Sequence, residues 1–149
     1  MQSDEFYILE ALKLAKIARK KGEVPVGAVV VLESGKIVGK GFNLRESKRN
    51  ALFHAEIIAI NKACKKMKDW RLDGATLYVT LEPCMMCLGA ALNARIKRIV
   101  FGAFDASKAK KEVDKISSLN HTILIEGGVC EEQCKQIIKD FFKKKRVNK

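Results

Sequence analysis

Apolar residues first recur at helical spacing. Ile8, Ala11, Leu12 and Ala15 fall on one side of a 3.6-residue repeat between positions 5 and 20, and Lys13, Lys16 and Lys20 fall on the other. That pattern predicts an amphipathic helix. The period then shortens. VPVGAVVVL at 24–32 and IVGKGF at 37–42 are β-branched runs separated by ESGK, which predicts two strands joined by a tight turn at Ser34-Gly35. Residues 43–53 are polar and then apolar and predict a loop, after which helical spacing runs from about His54 to Met67. ATLYVTL at 75–81 predicts a buried strand, Cys84 to Arg95 a helix, and KRIVFG at 97–102 another strand. A lysine-rich loop is expected over about 103–120, and HTILIEG at 121–127 predicts the last of five strands. A closing helix from Glu131 to about Lys145 is expected to turn Ile137, Ile138, Phe141 and Phe142 inward. Strands that alternate with helices after an opening hairpin predict an α/β fold with helices on both faces of one mixed sheet.

Composition narrows the setting. At 149 residues, with two prolines and no repeat or low-complexity linker, the simplest parse is a single domain over 1–149. No apolar run approaches the ~20 residues of a membrane span. Charges interrupt the N-terminal MQSDEFYILEALKLAKIARK, so it does not read as a signal peptide. Five cysteines do not suit a closed disulfide set, and in a reducing cytoplasm paired cysteines more often bind metal or do chemistry. With 29 Lys+Arg against 17 Asp+Glu, the net charge is +12. A polyanion partner is expected, nucleic acid first; a merely soluble basic surface is the plainer alternative.

Two short stretches carry candidate chemistry. LEPCMMCLGA at 81–90 places Cys84 and Cys87 where a helix begins. That spacing lets two sulfurs reach one ion from a first helical turn, and the helix N-terminus favours thiolate. By itself it also fits half a structural zinc site or a redox pair. Upstream, FHAEIIAI supplies His54 and Glu56. Two residues apart on an ideal helix they diverge, but they can converge from an irregular first turn. His54, Cys84 and Cys87 make three ligands, whereas a structural zinc site closes with four. Cys64, Cys130 and Cys134 do not sit at a natural spacing for a fourth, although the fold could still bring one in. Three ligands leave a position for water, and a carboxylate such as Glu56 beside it is a general acid/base.

At these motifs the chain resembles the zinc-dependent cytidine/deoxycytidylate deaminase superfamily, in which His-Ala-Glu is followed by Pro-Cys-x-x-Cys. It is most similar to the bacterial tRNA-specific adenosine deaminases, from EVPVGAVVV through GFNLRES, HAEIIAI and LYVTLEPCMMCLGAALNARIKRIVFGAFDA to DFFKKKR. The resemblance implies a three-layer α/β/α sandwich on a mixed five-stranded sheet. It implies one Zn2+ per chain on His54, Cys84 and Cys87, with Glu56 moving protons while water replaces the amine at C6 of adenine and inosine remains. It further implies that Asn43 hydrogen-bonds the target base, that Val26 and Ala55 line the base pocket, and that Asp105 contacts the neighbouring nucleotide. Lys143, Lys144, Lys145 and Arg146 would lie against RNA. The implied partners are the anticodon arm of a tRNA and a second copy of the chain, in the cytoplasm and away from membranes.

Some residues depart from the family or have plainer readings. Asn50-Ala51-Leu52-Phe53 stands where small residues are expected, and 106–111 is shorter and lacks glycine. Lys108, Lys110, Lys111 and Lys115 suit phosphate steering or simple solubility, and His121 reads as a strand-start residue. Two rival functions remain open: a deaminase of free guanine, cytosine or cytidine, and a non-catalytic zinc-stapled RNA-binding module.

Overall fold

Ser3 starts the first helix. Its Oγ accepts from the Phe6 amide, and Asp4 and Glu5 in the first turn oppose Arg19 and Lys20 in the last. These residues cap α1 (Asp4–Lys20) and match its dipole at both ends. The computed structural model describes residues 1–107, 114–118 and 120–147. After α1 come β1 (Gly27–Val31), β2 (Ile37–Phe42), α2 (Ala55–Met67), β3 (Thr76–Leu81), α3 (Met85–Asn93), β4 (Arg98–Ala103), β5 (Lys115–Ser118), β6 (His121–Glu126) and α4 (Glu131–Val147).

The strands form one mixed sheet in the order β2-β1-β3-β4-β6-β5. β1 runs antiparallel to β2 and β3, β3, β4 and β6 are parallel, and β5 pairs antiparallel with β6. The two-residue period of the strands divides the core into two layers. Val29, Val31, Tyr78 and Val100 pack with Tyr7, Ile8 and Leu12 of α1 and with Cys134 and Ile137 of α4. Their neighbours Ala28, Val30, Leu77, Val79, Ile99 and Phe101 face the other way, onto Ala59 and Ala63 of α2 and Ala91 of α3. The helices therefore cover both faces, as expected.

Three details differ from expectation. The sheet has six strands, because β5 lies within the stretch read as a lysine-rich loop. Its burial pattern is almost wholly exposed, so it lacks the apolar alternation that marks a strand. In α4 the inward stripe is Cys134, Ile137 and Ile138, with Phe141 at its margin; Phe142 is 41% exposed. Finally, β1 begins at Gly27, and Val24 to Val26 form a tight turn in which the Val26 amide donates to the Val24 carbonyl at 2.9 Å, with Pro25 and Val26 buried.

Two glycines set the seat of α2. A Cβ on Gly41 would meet the Ala59 amide nitrogen at 2.8 Å and Ile58 Cβ at 3.0 Å, and would come closer still to the Ala55 carbonyl oxygen. Gly39 meets the Ala59 carbonyl and Ala63 in the same way one turn further along. Bare backbone on β2 thus lets α2 approach closely and fixes the height of its first turn above the sheet. Among the described residues, no helix is long and apolar enough to cross a membrane.

Candidate active site

The N-termini of α2 and α3 converge at one end of the sheet, beside the last residues of β2, β3 and β4. His54 is the N-cap of α2 and Cys84 the N-cap of α3; both have extended backbone and neither side chain caps its own helix. From these caps the His54 ring and the Cys84 sulfur meet, and Glu56 in the first turn of α2 lines the same pocket as His54 despite their divergent helical phase. Cys87 lies one turn into α3 and is fully buried.

His54 Nδ1 lies 3.7 Å from Cys84 Sγ and 3.6 Å from Cys87 Sγ, and the two sulfurs are 3.7 Å apart. Tetrahedral bonds of about 2.3 Å to sulfur and about 2.0 Å to nitrogen would place two sulfurs about 3.8 Å apart, and nitrogen about 3.5 Å from sulfur. The triangle thus has the size that a zinc ion requires. Burial and the nearby Arg45 guanidinium lower the His54 pKa, which favours the neutral imidazole that a metal ligand must be. Burial first, and then the neighbouring Glu56 and Cys84, push the Cys87 thiol up; a bound cation reverses that balance and draws the proton off. Among the described residues no fourth His, Cys, Asp or Glu joins the group, and Cys64, Cys130 and Cys134 lie outside it.

A pocket opens against this triangle, lined by Val26, Asn43, His54, Glu56, Cys84 and Asp105 among others. Glu56 is 4% exposed and its carboxylate lies against the Cys87 thiol. Asn43 follows β2 and is held at both ends of its amide: Nδ2 donates to the Val24 carbonyl at 3.0 Å, and Oδ1 accepts from the Ala55 amide at 2.8 Å. One N–H and one oxygen lone pair remain for a ligand. Ala55 is fully buried and is not on the pocket wall. Asp105 is on the wall; its amide donates to Glu82, and its carboxylate accepts from the Ser107 amide and hydroxyl.

Other expected residues lie elsewhere. Leu52 and Phe53 do not line the pocket, and Leu52 is 56% exposed. Lys143, Lys144, Lys145 and Arg146 are exposed on the last turns of α4, outside the pocket. Lys115 is exposed on β5, while Lys108, Lys110 and Lys111 fall outside the described residues. His121 begins β6 and its ring nitrogen is 2.7 Å from the Ile96 carbonyl oxygen. Sequence reasoning missed Glu23, Arg45, Glu46 and Glu82, all on the pocket wall. The available signal for Glu23 was an acid set directly before the buried run VPVGAVVV.

A model of the MafB19-like deaminase family matches residues 2–146. The chain is 45% identical to a tRNA-specific adenosine deaminase of Bacillus subtilis (strain 168), across 100% of this chain and 94% of that protein. Its fold matches a solved structure from studies of A-to-I editing by tRNA:A34 deaminases at the wobble position of transfer RNA. That match has a TM-score of 0.79 and 35% identity, and covers 89% of this chain and 98% of the other. A guanine deaminase structure from Bacillus subtilis aligns with a TM-score of 0.65 and 37% identity, over 69% of this chain and 66% of that one.

Proposed function

The chain belongs to the MafB19-like deaminases and, among them, to the tRNA-specific adenosine deaminases, and from that membership we propose that it converts adenosine to inosine in tRNA, at the wobble position of the anticodon. The observation that carries this reading is the His54–Cys84–Cys87 triangle, sized for zinc and open on the side where buried Glu56 lines a pocket. His54, Cys84 and Cys87 hold one zinc ion per chain. When bound there, zinc supplies the Lewis acidity that makes a hydroxide nucleophile available near neutral pH.

Glu56 moves the protons. Its carboxylate accepts one from the attacking water and delivers it to N1 of the adenine ring, and then carries the proton of the new C6 hydroxyl to the departing amine, so that ammonia leaves and inosine remains. Burial confines that carboxylate to one position, which shortens the search for the reactive geometry. Asn43, pinned by Val24 and Ala55, turns its remaining N–H and lone pair to the base edge, and Val26 supplies apolar wall. Asp105 meets the neighbouring nucleotide at the rim. The target base is splayed out of the anticodon loop into the pocket, which single-stranded loops permit at low cost.

A net charge of +12 suits a phosphate backbone, and Lys143, Lys144, Lys145 and Arg146 form an exposed cationic end on α4 for that contact. On α3, Met85 is 87% exposed and Met86 and Leu88 are half-buried, which supports pairing of two copies through that helix. A single domain over 1–149 with one site, working beside tRNA in the cytoplasm, is consistent with these features.

The likeness to a guanine deaminase keeps a free-base reading as the rival. Incubating the purified protein with arginine tRNA transcript carrying adenosine at the wobble position, and separately with guanine, cytosine and cytidine, separates the two. Inosine in the sequenced RNA supports the tRNA reading; ammonia from the free compounds alone overturns it.

A further inference from the structure

Glu23 and Glu56 are the two buried carboxylates among the described residues. Glu56 belongs to the chemistry just described; Glu23 has no part in it. Glu23 sits in the connection between α1 and β1, 1% exposed, on the wall of the same pocket. A carboxylate is buried at such a position only when its oxygens are satisfied by donors. Both are. Oε1 accepts from the Glu46 amide at 3.0 Å, Oε2 accepts from the Ser47 amide at 2.6 Å, and Oε2 also accepts from the Ser47 hydroxyl. All three donors belong to one short segment of the loop after β2.

Within the loop, the Lys48, Arg49 and Asn50 amides donate to the Leu44, Glu46 and Arg45 carbonyls, so the segment is folded on itself. The loop is closed at its neck by the Leu44 amide donating to the Phe53 carbonyl at 3.0 Å, and Arg45, Glu46, Ser47 and Lys48 are exposed. Yet Arg45 and Glu46 form part of the pocket wall. Among the described residues, the hydrogen bonds to Glu23 join that wall to the connection between α1 and β1, whereas the loop's own bonds close it on itself. The residue after Glu23 continues the link, since the Val24 carbonyl holds Asn43, and Asn43 holds the Ala55 amide between His54 and Glu56.

We propose that Glu23 is a positioning residue that buckles the Arg45–Ser47 segment onto the protein, so that the strand flanking the target adenosine meets a preformed rim. The inference rests on the tRNA deaminase reading above. Burial alone would raise the Glu23 carboxyl, but the hydrogen bonds from Ser47 and from the Glu46 amide, with Arg45 nearby, hold it below the usual carboxylate range. The group therefore stays an ionised acceptor at neutral pH, the state the buckle needs. A preformed rim lowers the ordering cost of binding RNA and leaves the proton chemistry at Glu56 untouched. Losing it is expected to act on KM rather than on kcat.

The test compares wild type with Glu23→Gln and Ser47→Ala in steady-state deamination of a wobble-adenosine tRNA transcript, together with amide hydrogen exchange. Glu23→Gln keeps the shape but turns an NH2 group toward an amide donor. Its KM is expected to rise about tenfold, with kcat within about threefold of wild type, and the Glu46 and Ser47 amides are expected to exchange fast while β1 and β3 stay protected. Ser47→Ala removes only the hydroxyl donor and is expected to raise KM by a few-fold; it also tests the idea should Glu23→Gln fail to fold. Adding Ser47→Ala to Glu23→Gln should raise KM no further, because both act through one buckle. An unchanged KM in both single variants, or a fall in kcat with KM unmoved, overturns the inference. A wild-type protein that does not deaminate the RNA overturns the parent reading and this one together.

Discussion

Replacing Gly41 with alanine tests how the sheet sets the active-site geometry. The new Cβ would sit 2.8 Å from the Ala59 amide nitrogen and nearer still to the Ala55 carbonyl oxygen, where ordinary contact begins at about 3.5 Å. The obstruction is backbone on both sides, so no side chain can rotate away. The first turn of α2 must lift by on the order of 1 Å, and that turn carries Ala55 and Glu56 directly after the His54 cap. Overpacking of this kind costs about 1–3 kcal/mol, and a chain of this size loses about 2–4 °C of Tm per kcal/mol. Gly41→Ala should therefore melt roughly 2–12 °C lower. A misplacement of about 1 Å costs about 100-fold in rate, so kcat should fall by one to two orders of magnitude, and zinc should be held more weakly because His54 moves with the helix. Calorimetry, steady-state kinetics and metal analysis on the purified variant read the three effects. A Gly41→Ala protein with wild-type Tm and wild-type kcat would show that α2 can slide on β2 without consequence, and the argument from close backbone approach would fail.

Three other perturbations probe separate parts of the account. Glu56→Gln keeps the shape but cannot move protons, so kcat should drop by about 100- to 10,000-fold while metal analysis still finds one zinc per chain; near wild-type turnover would remove Glu56 from the mechanism. Asp4→Asn breaks the pair in which Arg98 holds Asp4, whose carboxyl also accepts from the Tyr78 hydroxyl. It should cost about 1–2 kcal/mol by denaturant unfolding, and a loss below a few tenths would contradict that role. The Arg98 hydrogen bond lowers the Asp4 pKa against the opposing effect of burial. Its contribution is therefore fully present above the ordinary carboxylate value near 4, and is lost as pH falls through the lowered folded value. The wild-type advantage over Asp4→Asn should shrink as pH falls below about 4, and an advantage that did not change with pH there would refute the assignment. Chelation should abolish deamination reversibly yet leave the far-UV circular dichroism in place, because the two apolar core layers close without the ion; unfolding on chelation would mark the site as structural instead.

The outline of this protein was readable where its residues must satisfy one dominant requirement. The apolar runs of β1 and β3 are buried on both faces, so they stand out as strands in the sequence. The cluster of His54, Cys84 and Cys87 was legible because the imidazole and the thiol pair occur together in one signature, whereas the thiol pair alone also suits a redox site. What stayed hidden depended on contacts across the fold. The strand β5 is an edge strand with exposed side chains, so it carries no apolar signature. Phe142 has the right residue type but the wrong helical phase, and the buried position nearer the start of α4 belongs to Cys134. Glu23 reads as one more surface acid until its partners, more than twenty residues on, are seen to converge on it. Asn43 looks like a turn residue or a base contact; its amide in fact spans from Val24 to Ala55 and ties the pocket together.

The coordination of the metal tests the central claim most directly. X-ray absorption at the zinc edge of the purified protein should show one zinc per chain with two sulfurs at about 2.3 Å and two lighter ligands near about 2.0 Å, one an imidazole nitrogen and the other from solvent. Three or four sulfurs, a second imidazole, or protein that holds no zinc at all would contradict an open three-residue site and the chemistry built on it.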